Sequence, residues 1–170
     1  MSAAAEDGRG RASGPGAADR GARTARDVVH PLTRERVVAA LDDLGYPWFR
    51  DRAGDVGAMW AQAVFHVYLL GPEENVLQVR STWHRRLAIE RLAEVLELVD
   101  GWNRDFVGPK CYVRVLDDGM VSVVAEVSTP LAAGVSEDQL TTLLRRGVGQ
   151  GMRMVHDLEQ AYPDPAGRAP

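Results

Sequence analysis

The spacing of apolar and polar positions changes several times along this 170-residue chain, and each change predicts a new element. Thr33 can cap a first helix over residues 34 to 44, which ends at Gly45, and its apolar positions at helical spacing are Val37, Val38, Leu41 and Leu44. Extended patterns follow as YPWFRDR, AMWAQAVFHVYLL and, after the turn GPEEN, VLQVRSTW. We expect three antiparallel strands here, because the turns between them are short.

Two further helices are predicted from amphipathic spacing. The second ends near Asn103, and its apolar face consists of Ile89, Leu92, Val95, Leu96, Val99 and Trp102. The last begins at a capping box formed by Ser136 and Gln139. Its GVGQG run does not follow a strand, so Gly147 and Gly151 indicate close approach of another element and not a nucleotide loop.

The segment PKCYVRVLDDGMVSVVAEVS predicts a hairpin with a defined register. A three-residue loop, Asp117 to Gly119, with Gly119 in the left-handed conformation, places Leu116 opposite Met120. It aligns Cys111, Val113 and Val115 with Ala125, Val123 and Val121 on one face. A two-residue loop would mix polar and apolar residues on both faces, so the longer loop is the better interpretation.

The resulting order is α-β-β-β-α-β-β-α, which indicates an α+β domain over residues 31 to 162. Residues 1 to 30 are Gly-, Ala- and Arg-rich, and we expect a disordered N-terminal tail. Residues 163 to 170 are expected to form a C-terminal tail.

Composition narrows the class of protein. Cys111 is the only cysteine and no run of eighteen apolar residues occurs, so we expect a cytoplasmic protein without a membrane span. Residues 31 to 162 carry fourteen basic and nineteen acidic side chains, which makes nucleic acid an unlikely partner. The four histidines have no second ligand at zinc-like spacing, and no nucleophile stands beside a recognisable base. We expect no catalytic residues, no metal and no cofactor, hence a binding protein and not an enzyme.

The run STWHRR at residues 81 to 86 raises two alternatives for its arginines. Strand alternation points Trp83 into the core, and Arg85 and Arg86 then precede the second helix, whose N-terminus could trap a carboxylate or phosphate. In the alternative interpretation Arg86 pairs with Glu90 and Arg85 is solvated.

The face of the sheet opposite the small apolar residues is called the second face. It carries Gln78, Arg80, Thr82, Tyr112, Arg114, Ser122, Val124 and Glu126. Tyr and Arg are enriched at protein interfaces, so we hypothesise that Arg80, Tyr112 and Arg114 anchor an acidic or extended peptide. Arg85 and Arg86 would be nearby charge contacts. A helix or a dimer mate covering this face is the competing hypothesis.

The chain resembles a known family. The run WNRDFVGPKCYVRVLDDG, followed by a strand, GVSEDQL and a long closing helix, looks like the YbjN-domain proteins of actinobacteria, whose fold is similar to type III secretion chaperones. The resemblance covers residues 32 to 162. It implies a five-stranded antiparallel sheet packed by helices, often a homodimer, and no established enzymatic activity.

Two functions therefore stand at this point. The first is a non-enzymatic, chaperone-like or adaptor domain that binds a protein or peptide partner. The second is a small-anion sensor or an uncharacterised enzyme that uses the arginines at residues 80 to 86.

Overall fold

Three helices and one antiparallel sheet make up the protein in a computed structural model that describes residues 28–60 and 62–163. The helices are α1 (Arg34–Asp43), α2 (Leu92–Asp105) and α3 (Glu137–Ala161). The strands are β1 (Phe49–Arg50), β2 (Val56–Trp60), β3 (Ala63–Leu70), β4 (Val76–Trp83), β5 (Leu87–Ala88), β6 (Lys110–Val115) and β7 (Met120–Pro130). The predicted disordered N-terminal tail over residues 1–30 and the predicted C-terminal tail over residues 163–170 lie almost entirely outside the described residues.

The predicted mixed α+β class is confirmed, and the sheet contains seven strands where five were expected. Strands β1, β2, β3, β4 and β7 are neighbours in that order. The short β5 continues the same edge of β7 beyond β4, while β6 pairs with the other edge. Strand β7 is therefore the one strand of the described sheet that is paired with three others.

The extended run predicted as one strand, AMWAQAVFHVYLL, is two strands. The chain reverses between Trp60 and Ala63, which are paired in the ladder. The reversal lets both halves point apolar side chains to the same side, with Ala58 opposite Phe65. The preceding predicted strand shortens to the two residues of β1, where the Phe49 ring lies over Gly57.

The predicted start of the second helix is also corrected. Leu87 and Ala88 pair with Val121 and Met120 as strand β5, and a 3₁₀ turn, Ile89–Arg91, precedes the helix. Leu87 is buried, so the extended conformation places an apolar side chain in the core. Arg85 and Arg86 consequently lie well before the helix N-terminus and cannot form an anion trap with it.

The predicted hairpin register is confirmed in full. Cys111, Val113 and Val115 pair with Ala125, Val123 and Val121, and Gly119 has a φ of 75°. The Leu116 N–H donates to the Met120 carbonyl at 2.8 Å, which closes the three-residue loop. Turn chemistry and alternation were sufficient to define this part of the sheet.

The predicted helix caps are confirmed as well. The Thr33 hydroxyl accepts from the Arg36 N–H, Gly45 has a φ of 66°, and Ser136 and Gln139 form the capping box of α3. His30, which the sequence assigned to the tail, forms a β-bridge with Val135. The predicted boundary between tail and domain therefore moves, and His30 is part of the folded domain.

Helix α3 lies directly on the sheet at the glycines that were predicted to permit close approach. A Cβ atom added at Gly147 would lie 2.7 Å from the Val79 Cβ, and one at Gly151 would lie 2.7 Å from the Phe65 ring. Only glycine allows this separation without a shift of the helix.

Helix α3 lies on one face of the sheet, which we call the first face, while α1 packs on α3 and α2 packs beside β6. One core cluster unites α1, α2 and α3 with first-face residues such as Phe65, Val79 and Val123. The buried Val124 of the second face is not part of this cluster. Within residues 28–60 and 62–163, the second face is therefore not packed by a helix.

Candidate functional site

The centre of the second face is an ion pair between neighbouring strands. Arg80 on β4 and Glu126 on β7 are directly opposite in register, and Arg80 Nε donates to Glu126 Oε2 at 3.2 Å. The Tyr112 hydroxyl donates to the same oxygen, also at 3.2 Å. Glu126 thus joins two of the three residues predicted as peptide anchors, Arg80 and Tyr112.

Aromatic rings extend this contact network toward the other edge of the sheet. The Arg80 guanidinium lies over the Tyr68 ring, 4.8 Å from its centroid, and the Tyr68 ring stacks on His66 at 5.6 Å. Phe49 meets His66 edge to face at 6.3 Å. A continuous row of contacts consequently crosses the second face from β1 to β6.

The side-chain amide of Gln78 links Arg80 to Ser128. Gln78 Oε1 accepts from Arg80 at 2.8 Å, and Gln78 Nε2 donates to the Ser128 hydroxyl at 3.0 Å. Gln78 is buried although it points away from the core, because these side chains cover one another. The guanidinium of Arg80 is thereby held in one orientation.

The phenols of this face are protonated at neutral pH. Burial raises the pKa of both Tyr68 and Tyr112 above the usual tyrosine value. Tyr112 is therefore available as a hydrogen-bond donor, and it uses that donor on Glu126.

Strand β6 carries two basic side chains, and one of them, Lys110, lies directly opposite Glu126, the acid that pairs with Arg80. Lys110 and Arg114 flank Tyr112 on the second face, and both are exposed. Neither side chain has an ion pair or hydrogen bond with any other described residue. The third predicted anchor, Arg114, is thus on the expected face but outside the Arg80 network.

Arg85 and Arg86 lie elsewhere. Arg85 donates to Glu159 Oε2 at 3.1 Å and to the Tyr162 carbonyl, and its guanidinium lies over the Trp83 ring. It therefore holds the end of α3 against β4, a structural role. Trp83 is buried as predicted, and its Nε1 donates to Glu159 Oε1 at 2.6 Å.

Arg86 pairs with Asp118 Oδ2 at 3.0 Å and not with Glu90. Both members of this pair are more than half exposed, so its contribution to stability is small. The three arginines proposed as an anion cluster thus each have a different carboxylate partner, and they do not converge.

A shallow groove of about 500 Å³ lies beside the first turn of α3, away from these arginines. Its lining is largely apolar and includes Asp138 but no basic residue. This groove does not suit an anion.

Side chains from α2 shield part of the outer edge of β6. Asn103 Oδ1 accepts from the Cys111 N–H at 2.9 Å, and Asn103 Nδ2 donates to the Cys111 carbonyl at 2.8 Å. One residue earlier, Trp102 Nε1 donates to the Pro109 carbonyl at 3.2 Å. The Asn103 amide thus bonds Cys111 as the backbone of a neighbouring strand would.

Cys111 itself is not placed for chemistry. Burial raises the pKa of its thiol to about 12, so the reactive thiolate is scarce at neutral pH. No group of three His, Cys, Asp or Glu side chains within the described ranges is arranged to hold a metal ion. The second face is a mixed polar and aromatic surface.

Three participants in this surface were missed by the sequence interpretation: His66, Tyr68 and Asn103. The first two lie on a strand whose start was not located, so their face was not assigned. Asn103 had a visible signal, since Asn side chains bond nearby backbone readily, but its target eight residues later was not identified.

Comparison with known proteins gives one family and one fold. Residues 33–160 match the YbjN family, described as "Putative bacterial sensory transduction regulator". No curated protein matches this sequence. A solved structure described as "Crystal structure of YbjN, a putative transcription regulator from E. coli" is 17% identical, with a TM-score of 0.68. The similarity covers 79% of this chain and 96% of that one, and at this identity it shows the fold alone.

None of the helices within residues 28–60 and 62–163 is long and apolar enough to cross a membrane.

Proposed function

This chain belongs to the YbjN family, and we propose that it is a non-enzymatic regulatory or adaptor protein that binds a protein partner in the cytoplasm. The family description as a regulator supports a role in control and not in catalysis. The resemblance to type III secretion chaperones, in turn, is the support for a chaperone-like mode of binding.

One observation carries the proposal: the second face of the sheet is not packed by any described helix, yet it carries aromatic and arginine side chains. A sheet face that meets only water is typically polar throughout. Here Met59 and Leu70 are exposed on the same face, on strands remote from β6. Tyr, Arg and Met are the residues enriched at protein interfaces.

The candidate anchors have distinct roles in this proposal. Tyr112 and Arg114 make direct contact with the partner. Arg80 acts through Glu126, which fixes the Tyr112 hydroxyl. Truncation of Arg80 would leave Glu126 half-buried without its cation, so a test at this position would confuse binding with stability.

The test is affinity capture from the native cytoplasm with quantification of every captured protein. The variant is Tyr112→Ala with Arg114→Ala, and the matched control is Arg34→Ala on α1, which removes an exposed ion pair with Glu74. We expect a partner that is captured by wild type and control and is lost with the double variant. Circular dichroism must show that all three fold. A partner list that is the same for all three proteins would refute the proposal.

A further inference from the structure

The outer edge of β6 is the edge that faces away from β7. Asn103 shields only the first part of this edge, at Cys111. Because Cys111 directs both its N–H and C=O to Asn103, it points away from β7. Backbone groups alternate along a strand, so the N–H and C=O of Val113 and Val115 point outward too. No hydrogen bond outside the β6–β7 ladder reaches them within the described part of the chain.

The side chains beside this edge define what could pair with it. On the second face are Lys110 and Arg114, two exposed cations that form no ion pair within residues 28–60 and 62–163, with Tyr112 between them. On the first face is Val115, whose side chain is 54% exposed. A segment that adds here would meet positive charge on one side and apolar surface on the other.

A second copy of β6 does not fit this edge. Pairing centred on Val113 or Tyr112 brings the incoming strand against Asn103, which already occupies that place. Pairing centred on Arg114 puts this cation opposite itself. Pairing centred on Val115 runs into the turn at residues 117 to 119.

We propose that β6 is a docking edge on which an extended acidic segment of the partner adds as a further antiparallel strand. This rests on the proposed function and specifies its ligand: acidic side chains alternate with apolar ones, the acids facing Lys110 and Arg114. The segment bonds through its backbone to Val113 and Val115, and Asn103 fixes where the pairing begins. Such strand addition takes affinity from the main chain and specificity from alternate side chains.

The probe is a fluorescein-labelled nine-residue peptide of alternating valine and glutamate, titrated with the full chain and followed by fluorescence anisotropy. The comparison peptide alternates valine and lysine. We expect saturable binding of the acidic peptide, at least about tenfold weaker binding of the basic one, and loss of affinity as salt rises. No saturable binding of the acidic peptide up to about 1 mM, roughly −4 kcal/mol, would overturn the inference.

Backbone pairing is tested from both sides. Val115→Pro removes an outward N–H while leaving the ladder with β7 intact, and Val115→Ala is its control, since it shortens the side chain only. We expect the proline variant to bind about tenfold more weakly than the alanine variant.

In the peptide, N-methylation of the valines removes the amides that face β6 in antiparallel pairing, and N-methylation of the glutamates removes those that face away. Only the first should weaken binding. Equal effects of the two methylated peptides would overturn strand addition, and this comparison holds even if the proline variant fails to fold.

The outcomes separate the two proposals. If Tyr112→Ala with Arg114→Ala abolishes peptide binding and Val115→Pro matches Val115→Ala, the second face binds without strand addition and only this inference fails. If none of these variants changes peptide binding, the peptide binds away from β6 and this inference fails, whereas the proposed function fails only if the captured partner list is also unchanged. If Val115→Pro halves the molecular mass in solution, the edge is a contact between copies, which also overturns the inference.

Discussion

Replacement of Gly147 by alanine tests the contact between α3 and the sheet. The added Cβ would lie 2.7 Å from the Val79 Cβ and 2.8 Å from its Cγ2. The position of a Cβ atom is fixed by its backbone, so Val79 cannot relieve the clash by rotation. The helix or the central strand β4 must move instead, at a cost of about 1–3 kcal/mol.

The same substitution has a favourable effect on the helix itself. Alanine stabilises a helix interior by about 0.5–1 kcal/mol relative to glycine. Gly149, in the same helix and exposed, has no atom within 4 Å of an added Cβ, so Gly149→Ala isolates this favourable part. We expect Gly149→Ala to be stabilised by about 0.5–1 kcal/mol and Gly147→Ala to be less stable than wild type by about 0.5–2 kcal/mol.

The assay is urea denaturation at equilibrium, followed by circular dichroism at one protein concentration for all three proteins. The quantity that decides is the difference in free energy of unfolding between the two alanine variants. If Gly147→Ala is as stable as Gly149→Ala, the helix does not lie on Val79 as described, and the reasoning is wrong.

Four further predictions concern other parts of the chain. Asn103→Asp removes the donor to the Cys111 carbonyl and should lower the free energy of unfolding by about 1–3 kcal/mol in the same urea assay. An unchanged midpoint would show that the hydrogen bonds between Asn103 and Cys111 do not stabilise the fold. The Cys111 thiol has a pKa of about 12 when folded against an ordinary 9.0, so the unfolded chain loses this proton first and stability should fall as pH rises from 9.0 to 12. Cys111→Ala should lose less stability over that pH range, and an identical loss would refute the assignment. Deletion of residues 1–27 should leave the melting temperature within about 2 °C, because they offer little apolar area; a larger drop would show that they dock on the domain. The family resemblance predicts a homodimer, for which light scattering should give about twice 18.6 kDa at micromolar concentration, and a monomer mass would remove it.

The hairpin and the helix caps were predictable because their signals are local. Gly119 permits the left-handed turn residue, and a change of one residue in loop length would have placed the apolar residues of the two strands on opposite faces. The same alternation correctly placed Arg80 and Tyr112 on one side. These features depend on residues within a few positions of one another.

The features that the sequence did not reveal depend on distant contacts or on weak turn signals. The reversal between Trp60 and Ala63 contains neither Gly nor Pro, so the apolar run read as a single strand. The partner of Arg85, Glu159, is 74 residues away, and nothing near Arg85 in sequence indicates it. Strand β5 has only two residues, which is below what periodicity can detect.

The position of β7 in the sheet has a consequence for synthesis of the chain. Strand β4 is complete at Trp83, but its second edge is paired only by residues 124–130, and α3, which covers the first face, follows at Glu137–Ala161. Until those residues leave the ribosome, the strands already made have an unpaired edge and an uncovered apolar face. Such intermediates are prone to aggregation. The domain therefore completes its folding only after nearly all of its described residues have been translated, and the edge of β4 stays open until then.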